Sequence, residues 1–175
     1  MLYIIGILSI LFGVALDQYT KYLAVTHLQE KPVVLLKDIF QLQYLENRGA
    51  AFGMLQNQQW FFLIVGIVAV VVLFTIYVRV EKVKRYIPLR ICLLSMIAGA
   101  IGNMLDRIRL QYVIDFLYFE LIDFPIFNVA DIFASVSTCA LIVLFLFYYK
   151  EQDFDSIFDT LKFKKEKVQE QKNDN

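Results

Sequence analysis

The sequence predicts an all-α integral membrane protein: four transmembrane helices with an extracytoplasmic β-rich cradle. Three observations lead there. Hydrophobic residues fill 59% of the 175 positions, where a soluble domain holds about 45–50%. The excess lies in four long runs, and a helix needs roughly 20 apolar residues to cross the hydrocarbon core. Between the runs, two connections carry the alternation and the β-branched content of strands.

The first run extends from Leu2 to about Val25. It has no Lys or Arg ahead of it, so it reads as a retained span rather than a signal peptide. The connection 29–59 follows. Within it Phe40, Leu42 and Tyr44 alternate with Gln41 and Gln43, the mark of a half-buried strand, and Asn47-Arg48-Gly49 is a turn signal. The second and third spans cover 60–78 and 87–105. The connection 107–128 holds QYVIDFLYF, Gln111 to Phe119, which reads as extended although Asp115 interrupts it. Strand statistics leave Asp115 either facing solvent or at work. The fourth span covers 129–149. A charged tail, 151–175, completes the chain and reads as a solvated segment or a surface helix.

Seventeen basic and seventeen acidic residues cancel, but their placement is uneven. Arg79, Lys82, Lys84, Arg85 and Arg90 crowd around the second connection. Lys150, Lys162, Lys164, Lys165, Lys167 and Lys172 lie after the fourth span. The positive-inside rule puts both termini and the second connection in the cytoplasm, with the first and third connections outside. Cys92 and Cys139 fall inside spans, and His27 is the one histidine. That leaves the thiols as small packing groups and makes a Cys-His nucleophile or metal site improbable.

A charge at the centre of a span costs about 2.5–3.5 kcal/mol on insertion scales. Asp17, Asn103, Asp106, Arg107 and Asp131 nevertheless gather at the outward ends of the spans. Ser95, Gly99, Asn103 and Arg107 are four apart and share a helix face, whose small members admit a close neighbour. Ser135 and Thr138 are expected only to bond their own backbone. Two carboxyls held close in a shielded site cannot both ionise easily, so one keeps its proton while its partner takes one from water. No Ser-His pair, HExxH or phosphate loop competes. Residues alone leave proteolysis, ion conduction and proton relay open.

Four stretches together resemble the signal peptidase II family, the bacterial lipoprotein signal peptidases. They are DQYTK (Asp17–Lys21), NRGAAFG (Asn47–Gly53), AGAIGNMLDR with VIDF (Ala98–Phe116), and FNVAD (Phe127–Asp131). The resemblance covers nearly everything but the tail. It implies a peptidase domain over 1–150 that cuts prolipoproteins just before a diacylglyceryl-modified cysteine, at the extracytoplasmic face of the bacterial cytoplasmic membrane. Asp115 and Asp131 would be its catalytic dyad, with Asp106 the rival, assigned a supporting role. Asn47, Asn103, Arg107 and Asn128 would orient the dyad and the substrate backbone, and Asp17 and Lys21 would border the site. Gly49 would let the outward strand turn close to the substrate, and with Gly53 would permit the cradle to move. Neither a metal nor an organic cofactor is expected. The expected partners are lipidated substrate and membrane lipid, with no nucleic acid, and a single chain is expected to suffice. The alternative is a small proton-coupled transporter or channel, which needs polar groups along the whole bilayer, whereas the cytoplasmic halves of the spans are expected to lack them.

Overall fold

The computed structural model describes residues 2–49 and 56–161. Of the stretches singled out above, Ala50 to Gly53 and the tail lysines from Lys162 onward lie outside the described residues. Four helices are long and apolar enough to cross a membrane: α1 (Leu2–His27), α2 (Gln59–Arg79), α3 (Ile87–Leu110, preceded by a short 3-10 turn at Lys84–Tyr86) and α4 (Val129–Val143), which continues as a π-turn to Tyr148. α3 is the middle of the bundle and packs against α1, α2 and α4. Its apolar window is 44% buried, against 17% or less in the other three, so those three present most of their surface to lipid.

Two boundaries differ from the sequence reading. α3 runs to Leu110 and ends where Gln111 turns into the left-handed region at φ 66°, so 107–110 belong to the helix and not to the connection. The polar run Asn103, Asp106, Arg107 looks like an exit from lipid, but Asn103 and Asp106 turn into the bundle and are bonded there, while Arg107 faces the cleft. The second difference is a strand the sequence did not announce. β1 (Val33–Leu36) is four consecutive aliphatics with no alternation, every one exposed.

β1, β2 (Phe40–Asn47) and β3 (Val113–Tyr118) form an antiparallel sheet in that order over one end of the bundle. β2 and β3 pair with Leu45 opposite Asp115 and Asn47 opposite Val113, after an irregularity between Leu42 and Leu45. β3 is buried on both faces over Val113 to Phe116. Ile114 and Phe116 pack on Ala24 and Leu28 of α1. Asp115, pointing the other way, is 1% exposed, so the solvent-facing reading does not hold.

The opposite end of the bundle is closed by α5 (Glu151–Leu161), the first part of the tail. It is docked rather than solvated: Ile157 joins a cluster with Tyr77, Tyr86, Leu89 and Tyr149, against which Phe154 also packs. Asp153 makes two contacts of 2.5 Å with the Arg85 guanidinium and accepts the Lys150 backbone N–H at 2.8 Å, the reach-back of an N-terminal cap. Arg85 holds the Asp153 carboxyl well below the usual carboxylate range. Arg85→Ala is therefore expected to loosen α5. Limited proteolysis should clip the variant within 150–161 several-fold faster than wild type; equal rates would show that the apolar contacts suffice.

This end also holds a buried charge that the sequence reading grouped with the second connection and the structure sets inside α3. Arg90, 4% exposed, donates to the carbonyls of Tyr77 (2.9 Å) and Val80. Those carbonyls close the C-terminus of α2, where acceptors lack helical partners. Arg90 thus caps a helix and does not extend a polar path.

Candidate active site

The site is built on the start of α4. Asn128, extended at φ −132°, is the residue before the helix, and Asp131 stands three further on. They form a capping box: Asn128 Oδ1 accepts the Asp131 N–H at 3.0 Å, and Asp131 Oδ2 accepts the Asn128 N–H at 3.1 Å. This fixes one oxygen of Asp131 by local chain geometry. The other, Oδ1, accepts from Asn103 Nδ2 at 2.9 Å across the α3–α4 contact.

Asp115 reaches the same place from β3. Its Oδ1 accepts from Asn128 Nδ2 at 2.6 Å and its Oδ2 from Asn47 Nδ2 at 2.8 Å. Each of the four carboxyl oxygens therefore receives one amide N–H, and Asn128 serves both acids. Burial pushes the Asp115 carboxyl up to about 7, and the negative charge of Asp131 adds to the rise. Both acids line a cleft of ≈ 910 Å³ bounded also by Phe62, Arg107, Phe124 and Phe127.

Behind these two acids lies a second polar layer, closed to the cleft. Lys21, 1% exposed, donates to Asp17 (2.9 Å), Asp106 (2.8 Å) and Asn103 Oδ1 (2.9 Å). Asp17 Oδ1 accepts the Ala130 N–H of α4 at 2.9 Å, so α1 fastens the first turn of α4. Asp106 is spent on the same layer: besides Lys21 it accepts from Gln18 Nε2 at 2.9 Å and from the Ile114 N–H at 3.2 Å. It pairs with Lys21 and not with its neighbour Arg107.

The structure thus brings together Asp17, Lys21, Asn47, Asn103, Asp106, Asp115, Asn128 and Asp131. Arg107 lies on the cleft wall, its guanidinium 4.8 Å from the Phe62 ring centre and bonded to the Asn103 carbonyl at 3.3 Å. Its Nε is buried with no acceptor among the described residues. Gly49 opens the turn after β2, its N–H donating to Asn47 Oδ1 at 3.0 Å. Ser135 and Thr138 bond their own helix carbonyls, of Asp131 and Ala134.

Two residues escaped the sequence reading. Gln18 bridges Asp106, Asp17 and the Gly102 carbonyl. Gln59, 5% exposed, donates to the Arg48 carbonyl at 2.7 Å and so ties the turn to α2. Gln18 stands inside DQYTK, beside an acid in an apolar span, which was a usable signal. Gln59 stands in a glutamine-rich run that gives none.

Two amide-held acids, open to one cleft at one end of a membrane bundle, are the equipment of a membrane aspartic peptidase. Comparison with known proteins agrees. The family model for signal peptidase (SPase) II matches residues 9–147. A lipoprotein signal peptidase of Clostridium tetani is 41% identical over 153 residues, covering 85% of this chain and 95% of that one. The counterpart from Streptococcus pyogenes serotype M1 is 41% identical over 151 residues with the same coverage. A solved bacterial membrane enzyme superposes with a TM-score of 0.73 at 29% identity, over 83% of this chain and 92% of its own. The chain belongs to the signal peptidase II family, the lipoprotein signal peptidases, and is an aspartic peptidase of the multi-pass bacterial membrane type. α5 lies beyond the matched residues.

Proposed function

We propose that Asp115 and Asp131 are the catalytic dyad, and that 1–150 is the peptidase domain that removes the signal peptide from diacylglyceryl-modified prolipoproteins. The observation that carries this is the pairing itself: both acids line one cleft, and an amide donor holds each of their oxygens. The N-terminal turn of α4 favours negative charge on Asp131, while Asp115 keeps its proton to about pH 7. Asp131 then takes a proton from water as the water attacks the scissile carbonyl. Asp115 donates to the carbonyl oxygen, and Arg107 and Asn47 face the substrate backbone. No covalent enzyme intermediate is required.

Orientation follows from charge. The sheet end carries the site, the other end carries Lys82, Lys84, Arg85 and Arg90, and the latter faces the cytoplasm. The cleft then opens at the extracytoplasmic boundary, where the acyl chains of a lipidated cysteine hold the bond to be cut. One chain contains every part, so the monomer is active.

The test is cleavage in lipid of a purified diacylglyceryl prolipoprotein and of its unlipidated form, with product masses read out. A cut immediately before the lipidated cysteine, and little or none of the unlipidated form, is expected. Equal cleavage of both would overturn the lipid requirement.

A pH dependence follows with its sign. Activity needs Asp115 protonated, so kcat/KM should fall as pH rises through about 7, by about tenfold per pH unit once well above it. The value belongs to the pair, which titrates as a unit. A rate that is flat from pH 6 to 9 would contradict the assignment of Asp115 as the acid.

A further inference from the structure

We propose that Lys21 is a positioning residue that fixes the direction of the Asn103 and Asn128 carboxamides, and through them presents N–H donors to both acids of the dyad. The inference rests on the dyad assignment above and concerns what organises it. An ammonium group has three donors and no acceptor. Lys21 Nζ has three acceptors, Asp17 Oδ2, Asp106 Oδ2 and Asn103 Oδ1. The side of Asn103 that faces Lys21 must therefore be its oxygen.

Everything downstream follows from that one constraint. With Oδ1 toward Lys21, Asn103 Nδ2 is directed at Asp131 Oδ1. The same Oδ1 accepts from Asn128 Nδ2 at 3.1 Å, which turns the Asn128 NH₂ group toward Asp115 and its oxygen toward the Asp131 N–H. A reversed Asn103 amide would set N–H groups against Lys21 and Asn128, and an oxygen against the Asp131 carboxylate. Lys21 touches neither acid of the dyad in this chain of bonds, yet it decides which atoms they meet.

The alternative is that Lys21 serves only to neutralise Asp17 and Asp106. The two roles separate in a charge-balanced variant. Lys21→Met alone leaves two buried acids without their cation. Lys21→Met/Asp106→Asn removes one charge of each sign, leaving the net charge of the layer unchanged, but still frees the Asn103 amide. The other charged groups around Asp131 stay in place: Asp17 on α1, Arg107 on α3, Asp115 on β3, and Glu46 and Arg48 at the cleft rim.

The measurement is the pH profile of kcat and KM for prolipoprotein cleavage, with a thermal melt in lipid to confirm folding. For the double variant the expected result is a loss of kcat of about tenfold or more, with KM within about twofold. The pH profile should change with it, because the Asn103 N–H no longer reaches Asp131. A folded double variant with the wild-type profile and rate would overturn the positioning role. If Lys21→Met does not fold, the double variant decides alone. Either result leaves the dyad itself to the Asp115→Asn and Asp131→Asn variants, so the two readings fail separately.

Discussion

Asp131→Asn is expected to reduce turnover by about three orders of magnitude while the protein stays folded. The carboxamide has nearly the shape of the carboxylate, but its oxygen will not take a proton from water at neutral pH. General base catalysis typically contributes 10²–10⁴-fold. The fold survives because the carboxamide oxygen still accepts one donor, the Asn128 N–H or Asn103 Nδ2, though not both. The donor left opposite an NH₂ group costs about 1–3 kcal/mol, offset in part by removing a like charge from beside Asp115. The check is single-turnover cleavage together with a thermal melt. A folded variant with more than a tenth of wild-type turnover would mean that Asp131 is not the base.

The second large effect comes from a residue with no polar atom in its side chain. A Cβ on Gly99 would lie 2.5 Å from the Ala130 carbonyl oxygen and 3.3 Å from its carbon. Those are backbone atoms of the first turn of α4, one residue before Asp131, so nothing flexible can give way. Gly99→Ala must push the turn off α3, opening the Asn103–Asp131 bond and shifting the base against the acid. Misplacement by about 1 Å can cost about 10²-fold in rate, and overpacking about 1–3 kcal/mol in stability. Gly66→Ala is the control. There the added carbon meets only the Met104 side chain, a flexible group that can swing aside, so near-normal activity is expected. Similar losses in both variants, by rate and by melt, would show a general intolerance of larger residues in the bundle and not a specific tie between Gly99 and the dyad.

Long apolar runs announce spans, and β2 and β3 were legible from alternation and from β-branched content. β1 was not, because Val33 to Leu36 is a plain aliphatic run with no period to read. The end of α3 was misread for a physical reason: sequence shows that Asn103, Asp106 and Arg107 are polar, but not that α1 supplies Lys21 to meet Asn103 and Asp106. The docking of α5 was hidden in the same way, since Asp153 looks like one more tail charge until Arg85 stands beside it. In the site, spacing located the acids and not their directions. Asp115 could not be settled from strand statistics, and Asp106 stood as its rival. The structure sets Asp115 on the cleft wall and Asp106 against Lys21 and Gln18 behind it. Gln59 carries no signal at all, and Gln18 shows only as a polar residue beside an acid in an apolar span.

That separation is also the point most open to direct test. Wild type, Asp115→Asn and Asp106→Asn, each shown by thermal melt to be folded, are to be compared for cleavage of a diacylglyceryl prolipoprotein by gel shift. Asp115→Asn should show no processed product, while Asp106→Asn, altered only in the layer behind the dyad, should retain partial activity. A folded Asp106→Asn that is inactive beside an Asp115→Asn of near-normal turnover would contradict the account and make Asp106 the partner of Asp131.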